Sequence, residues 1–248
     1  MSGSSRRPVF RALLIGAAVV FLGLFLAMWA QFLLAGGTSN IGVDYDLYMA
    51  ATRSWLAGDG FYLASQLAGP YPVVHGVVLY PPPMLILLVP FTMLPAPLWW
   101  AVPNAVILAV VLRHRPSPAA WLAMAICLWF PITGVRLLHG NPGMWISAAL
   151  ALGTLLGWPS VLVLLKPTLA PFALVGIRRR SWWIALAALG VVSLLFLPMW
   201  ADYVTVIRNA QGGGILYSID EIPQVAIPLI AWLGSTRRAR PAGPAQPA

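Results

Sequence analysis

The stretch ALLIGAAVVFLGLFLAMWAQFLL, Ala12 to Leu34, decides the class of fold. It runs for 23 residues without a charged side chain, and a helix needs about 20 apolar residues to cross the hydrocarbon core of a bilayer. Arg6, Arg7 and Arg11 precede it, as the basic region of a signal peptide would, but its length favours a retained anchor. The chain is therefore expected to lie in a membrane.

Similar apolar runs recur along the whole chain. Of its 248 residues, 60% are hydrophobic and 8% are charged, whereas soluble domains carry about 25% charged residues. The runs predict an all-α fold, a polytopic bundle of eight transmembrane helices in a single domain over 1–234, followed by a disordered Pro/Ala-rich cytoplasmic tail over 235–248. The predicted spans are Ala12–Leu34, Val77–Leu94, Leu98–Leu112, Ala119–Val135, Met144–Leu156, Ser160–Ile177, Trp182–Trp200 and Ile222–Leu233.

The positive charge of the chain is interpreted as a topology signal. The net charge is +9, but the arginines flank apolar runs instead of forming a basic surface, so no nucleic-acid partner is expected. The excess of cations on cytoplasmic loops predicts a multi-pass protein of the cell (inner) membrane with a cytoplasmic N-terminus. This topology places Arg53, Arg113, Arg115 and Arg208 outside and the following ten inside: Arg6, Arg7, Arg11, Arg136, Arg178, Arg179, Arg180, Arg237, Arg238 and Arg240.

In this topology all six carboxylates fall in two external segments, 35–76 and 201–221. Connections longer than about 12–15 residues in a compact bundle are usually functional or disordered, so the outer face is where we expect chemistry. The alternative is a cytoplasmic side that is simply depleted of acids. The single cysteine, Cys127, lies in an apolar run and provides neither a disulfide framework nor a thiolate metal site.

The segment VDYDLYMAA, Val43 to Ala51, carries two of these acids, Asp44 and Asp46. The spacing of Tyr45, Tyr48, Thr52 and Trp55 predicts a short interfacial helix with an aromatic face that ends at Gly58. Asp44 could cap the first turn of this helix or act as the general base that takes a proton from a bound hydroxyl. Asp46 is the reserve candidate for the base. The Asp-x-Asp spacing is a weak metal signal, and no metal or cofactor is predicted.

The other candidate site residues would bind the phosphate of a substrate. Tyr80 precedes Pro81-Pro82-Pro83 at the predicted outer interface, where its hydroxyl could reach a headgroup or simply belong to an aromatic belt. Arg53, His75 and Arg208 are external cations, which are either phosphate ligands or solvated loop charges. Lys166 lies within a predicted span, where a charge is costly unless it is paired or functional.

Six sequence features occur in an order that resembles glycosyltransferase family 87, over roughly Asp44 to Trp183. They are Asp44 with Tyr48, Gly58 with Tyr62, Tyr80-Pro81-Pro82, Gly140-Asn141, Leu165-Lys166-Pro167 and Arg178-Arg179-Arg180. Members of this family are GT-C-type membrane enzymes that use a polyprenyl-phosphate sugar, usually mannose. The chain is shorter than is typical of them, so it is expected to be a short or truncated member.

The resemblance implies an inverting sugar transfer on the extracytoplasmic side, with the first-loop acid as base. Asp44 occupies the matching position. The implied partners are a polyprenyl-phosphate sugar donor, a glycan or glycolipid acceptor and membrane lipid. The residues leave open a second function, a non-catalytic transporter or lipid-handling protein, since intramembrane ionisable residues such as Lys166 also occur there. A non-catalytic membrane subunit is the third alternative.

Overall fold

The computed structural model describes residues 6–34, 41–73, 76–211 and 218–236, and most of them are helical. Two short strands, β1 (Tyr71–Pro72) and β2 (Ala210–Gln211), pair in parallel. The α-helices in the described ranges are α1 (Arg6–Leu34), α2 (Val43–Ala57), α3 (Ala64–Ala68), α4 (Leu85–Phe91), α5 (Pro97–His114), α6 (Pro118–Trp129), α7 (Pro131–His139), α8 (Gly143–Leu156), α9 (Arg180–Leu194), α10 (Leu197–Asn209) and α11 (Ile222–Leu233). The all-α prediction is confirmed.

Several predicted elements agree closely with these helices. Helices α1, α5, α8 and α11 cover predicted spans nearly end to end. Helix α2 was predicted from its aromatic spacing, and it ends at Gly58, whose φ of 94° is left-handed. Its buried side chains include Tyr45, Tyr48 and Thr52, so the predicted face packs into the protein core.

Four other predicted spans are interrupted. The segment 77–94 contains only a 3₁₀ turn and the seven-residue α4. In segment 119–135 the chain bends by 68° at the break between α6 and α7. In segment 182–200 it bends by 93° at the break between α9 and α10. The segment 160–177 consists of two 3₁₀ helices, which we call the first arm (Trp158–Leu165) and the second arm (Pro167–Gly176).

By length and composition, one helix in the described ranges, α5, could cross a membrane. If each of the two bent helix pairs is counted as one span, the described ranges contain up to three candidate spans. Eight separate spans are therefore more than these helices provide. Helix α8 and the two arms are shorter apolar elements that run side by side.

The two arms form a hairpin with Lys166 at its tip. Lys166 is extended, with φ −129° and ψ 91°, as expected for a residue before proline, because the proline ring disfavours helical backbone there. At the base of the hairpin a Cβ on Gly176 would lie 2.2 Å from the Gly157 carbonyl oxygen. The chain therefore turns back twice between residues 157 and 176.

The helices give the bundle two chemically different ends. At one end, His114 is hydrogen-bonded to Thr154, the Arg179 guanidinium donates to the Leu155 carbonyl, and the Ser117 amide donates to the Gly234 carbonyl. Phe10 of α1 shares a pocket there with Arg115. We call this the arginine end, because it gathers the segments that carry Arg6, Arg7, Arg11, Arg113, Arg115, Arg178, Arg179 and Arg180.

The opposite end holds the carboxylates, and we call it the acidic end. Asp44 contacts Asn141, Asp220 contacts Arg136, and Glu221 contacts Lys166. Asp46 and Asp59 lie on α2 and just after it, and Asp202 lies on α10 beside Tyr203, whose ring packs near Tyr62. Among the described residues, cations thus predominate at one end and carboxylates at the other.

Three arginines lie at the opposite end from the one predicted. Arg136 was placed with the cytoplasmic cations, but it pairs with Asp220 at the acidic end. Arg113 and Arg115 were placed outside, but they lie at the arginine end with Arg179. The prediction is wrong because segment 77–94 does not cross the bundle; counting it as a crossing reverses the direction of each element from α5 to the hairpin tip.

Contacts between β1, α3 and α10 connect the two acid-bearing segments. The Tyr71 hydroxyl donates to the Val206 carbonyl over 2.9 Å, and the Asn209 amide donates to the Gln66 carbonyl over 2.9 Å. Gln66 is 1% exposed and also bonds both the N–H and the carbonyl of Val78. These bonds fix the acidic end as one packed layer.

The close approach at the base of the hairpin generates a stability prediction. Gly176→Ala should lower the free energy of unfolding by about 1–3 kcal/mol, because the added methyl group meets backbone that cannot move independently. Thermal unfolding in detergent micelles would measure the change. Gly190→Ala is the matched control: a Cβ there meets nothing within 4 Å, and alanine in a helix interior is favoured by about 0.5–1 kcal/mol. Equal melting temperatures for the two variants would contradict the close packing.

Candidate functional site

A buried ion pair at the hairpin tip is the centre of the candidate site. The Lys166 ammonium lies 2.5 Å from the Glu221 carboxylate, and both residues are 1% exposed. Glu221 ends a short 3₁₀ turn and immediately precedes α11. Burying either charge alone would cost several kcal/mol. The pair therefore joins the tip of the hairpin to the start of α11.

Arg136 of α7 adds a second cation to this pair. Its guanidinium lies 3.7 Å from Glu221 and donates a hydrogen bond of 3.2 Å to Asp220. The amphipathic helix α7 carries Arg136 in its last turn and places it against the 3₁₀ turn of residues 219–221. Lys166 and Arg136 are thus both neutralised by carboxylates of one short segment.

Asn141 links the ion pair to Asp44. Its amide nitrogen donates to the Asp44 carboxylate over 2.7 Å, and its amide oxygen accepts from the Gly143 N–H over 2.8 Å and from Lys166 over 3.4 Å. Asn141 follows Gly140, which ends α7 in the left-handed conformation at φ 73°. A side chain at position 140 would also meet Trp100 and Tyr45. The Gly140-Asn141 turn therefore exists in this form because residue 140 is glycine.

Tyr80 completes the cluster from the side of α4. Its hydroxyl accepts from Lys166 over 2.8 Å and donates to the Asn141 amide oxygen over 3.3 Å. Tyr48 packs against the Tyr80 ring edge-on, with centroids 5.2 Å apart. Burial and the neighbouring Asp44 charge raise the pKa of Tyr48 well above its usual value. Its phenol therefore stays protonated.

The structure brings together three of the predicted site residues, Asp44, Tyr80 and Lys166. Asp46, Arg53 and Arg208 also lie at the acidic end, but all three are exposed and stand apart from the cluster. The two acids of VDYDLYMAA separate because residues two apart on a helix point about 200° apart. His75 lies outside the described residues, as do Gly212, Gly213 and Gly214.

The environment of Asp44 decides against the capping alternative. The N-cap of α2 is Gly42, and this helix start has no side-chain capping bond. Asp44 is instead 5% exposed and accepts a hydrogen bond from Asn141, which is 97 residues away in the chain. Its carboxylate is therefore held by a tertiary contact and not by the amides of its own helix.

Three residues of the cluster were not predicted as site residues. Asn141 belongs to the Gly140-Asn141 feature of the resemblance but has no predicted role of its own, Arg136 is predicted only as a cytoplasmic cation, and Glu221 only as one of the six acids. Glu221 could have been found, because a buried lysine in an apolar chain requires an acid, and the chain has few. Arg136 and Asn141 depended on the direction of the helices, which the sequence pattern did not fix.

The cluster holds the Asp44 carboxylate in a fixed position, beside two cations that are already paired with carboxylates. Asn141 donates to Asp44 and so orients it, while Lys166 contacts both Asn141 and Tyr80. Since Lys166 and Arg136 already face Glu221 and Asp220, an incoming phosphate would compete with these carboxylates for them. The exposed Arg53 and Arg208 have no such competitor in the described ion pairs.

Comparisons with known proteins add no relative. No protein-family model, curated protein or solved structure matches this chain. The resemblance to glycosyltransferase family 87 therefore stays a prediction from the motif residues.

The ion pair generates a stability prediction. Lys166→Met should lower the free energy of unfolding by about 3–5 kcal/mol, because it leaves the Glu221 charge buried without its main partner. The double variant Lys166→Met, Glu221→Gln should be more stable than Lys166→Met alone, since it removes that charge as well. Denaturant unfolding in micelles would measure both, with the exposed Arg53→Met as the control. Additive losses in the double variant would contradict the pairing.

Proposed function

We propose that this protein is a polytopic membrane glycosyltransferase that moves a sugar, usually mannose in the family it resembles, from a polyprenyl-phosphate donor to an acceptor hydroxyl. The observation that carries the proposal is the convergence of Asp44, Tyr80, Asn141 and Lys166. These residues come from four separate motifs of the resemblance, and they form one hydrogen-bonded cluster. The motifs of the resemblance therefore meet at one place in the fold, as expected for residues of one site.

The charge separation supports an extracytoplasmic site. Cations accumulate on the cytoplasmic side of membrane proteins, and eight of the eleven arginines in the described ranges belong to segments at the arginine end. This arrangement supports a cytoplasmic N-terminus in the cell (inner) membrane and an external acidic end. Asp44 then lies on the side where polyprenyl-phosphate sugars act as donors in enzymes of this class.

In the proposed reaction Asp44 takes the proton from the acceptor hydroxyl as the acceptor oxygen attacks the anomeric carbon. The bond between that carbon and the phosphate oxygen breaks, the sugar inverts, and the polyprenyl phosphate leaves with the bonding electrons. Asn141 is a positioning residue that orients the carboxylate. Arg53 and Arg208 are the exposed cations available at this end to stabilise the departing phosphate.

The acceptor is a glycan or glycolipid that presents a hydroxyl at the external surface, and membrane lipid surrounds the apolar helices. The proposal includes no metal or cofactor, since a lipid monophosphate leaving group requires less charge neutralisation than a nucleotide diphosphate. Asp46 remains the reserve base, but its exposure and its separation from Asn141 favour Asp44.

The two neighbouring acids provide a matched test. Asp44→Asn should lower sugar transfer by about 10²–10⁴-fold, because it removes the general base without changing the size of the side chain. Asp46→Asn should transfer at the rate of the unchanged protein. The measurement is transfer of labelled mannose from polyprenyl-phosphate mannose in proteoliposomes, with unfolding temperature as the check on folding. Undiminished transfer by Asp44→Asn would exclude Asp44 as the base.

A second candidate function, transport of a lipid-linked sugar without chemistry, is favoured by the Lys166–Glu221 pair. Charged pairs buried in membrane bundles also occur in proton relays and transporters. Proteoliposomes loaded with a fluorescent lipid-linked sugar would distinguish the two functions. Transfer predicts a new glycosidic product, whereas transport predicts bilayer exchange that Glu221→Gln impairs and no product.

A further inference from the structure

A long apolar groove runs between the two ends of the bundle, and Asp44 is not among its lining residues. It has a volume of about 1000 Å³. Its walls come from α1, α5, α6 and α11, with Ile15, Ile107, Trp121 and Ile227 among the lining residues. It extends from Pro116 at the arginine end to Leu137 and Gln224 near the acidic end. The length and the apolar lining fit an extended hydrocarbon chain.

Gln224 gives this apolar groove a polar group that could select its ligand. It is 4% exposed, and neither its amide nitrogen nor its amide oxygen has a hydrogen-bond partner among the described residues. Leaving a buried polar group unpaired is costly, and native structures contain few such groups. Gln224 lies one helical turn after Glu221 and lines the groove. Both of its hydrogen-bonding atoms are enclosed and lack a partner among the described residues, so a molecule in the groove would satisfy them if its polar group displaced the side chains that cover this amide.

The absence of charge along the described lining of the groove limits the kind of molecule that can bind there. None of the described residues that line it is ionisable, and its polar side chains include the amides of Gln224 and Asn104. Asn104 already donates to the Trp100 carbonyl. A phosphate beside Gln224 would lie among apolar side chains without a cation, since Arg115 lines the neighbouring pocket at the opposite, arginine end, and such burial is strongly unfavourable. A hydroxyl, in contrast, both donates and accepts, and so matches the two free functions of one amide.

We infer that this groove binds an uncharged lipid, with the hydrocarbon chain directed toward the arginine end and a hydroxyl paired with Gln224. The site is separate from the proposed donor site, since it takes no phosphate. It does not require that the protein transfers sugar. Near the acidic end, the bound hydroxyl would lie one helical turn from Glu221.

The test uses the full chain in lipid nanodiscs and geranylgeraniol that carries a diazirine. Photolysis should label peptides of α5, α6 and α11. Unlabelled geranylgeraniol should compete about tenfold better than either the matching hydrocarbon without a hydroxyl or geranylgeranyl monophosphate, as expected for one well-placed pair of hydrogen bonds in an apolar site. Equal competition by the hydrocarbon would show a non-specific apolar surface. Tighter binding of the monophosphate would show an anionic-lipid site. Either result would overturn the inference.

Variants of Gln224 separate binding from folding. Gln224→Leu should abolish the preference for the alcohol, retain binding of the hydrocarbon and raise the unfolding temperature without lipid, because it removes an unpaired buried amide. Gln211→Leu is the matched control, since Gln211 is exposed on β2 and is not among the residues that line the groove. Ile107→Trp, which fills the groove, should eliminate labelling. A retained alcohol preference in Gln224→Leu would contradict the assignment. None of these measurements uses sugar transfer, so the groove and the proposed reaction can fail independently.

Discussion

The charge on Lys166 is the constraint around which the acidic end is organised. A buried ammonium needs acceptors, and this one obtains them from Glu221 before α11, Tyr80 before α4 and Asn141 between α7 and α8. Three connections that are distant in sequence must therefore meet the hairpin tip at one point. The position of Asp44 follows from this arrangement, because the Asn141 side chain that contacts Lys166 also holds the Asp44 carboxylate. The chemistry proposed for Asp44 thus depends on an ion pair that takes no direct part in the proposed reaction.

Pro167 determines where that charge is placed. The residue before a proline avoids helical backbone, so the chain breaks at Lys166 and continues in a second arm. A continuous helix through this segment would place the ammonium in the middle of an apolar span. The break places it at the acidic end, where carboxylates are available. The tight contact of Gly176 with Gly157 then lets the two arms pack closely enough to present the tip in this way.

The sequence predicted the helices well and their directions poorly. Apolar length identified α1, α5, α8 and α11, and the spacing of Tyr45, Tyr48 and Thr52 identified α2 together with its buried face. These features depend on local periodicity. The bends before Pro131 and Pro198 and the hairpin at Lys166 keep the same apolar composition as a straight span, so hydropathy could not reveal them.

The same limit applies to the site. Asp44, Tyr80 and Lys166 could be proposed individually because a carboxylate, a phenol and a lysine are conspicuous in such an apolar chain. Their partners could not, since the contact of Asn141 with Asp44 and of Arg136 with Asp220 depends on the direction in which α6 and α7 run. An error of one crossing reverses those directions and places both partners at the wrong end.

The parallel pairing of β1 with β2 couples two regions that hydropathy treats as separate loops. Residues 66–72 and 206–211 are joined by the strand bonds, by the Tyr71 hydroxyl and by the Asn209 amide. Neither region can be displaced from the bundle unless the other moves with it or all of these bonds break together. Any movement of this side of the bundle would therefore be cooperative between segments 66–72 and 206–211.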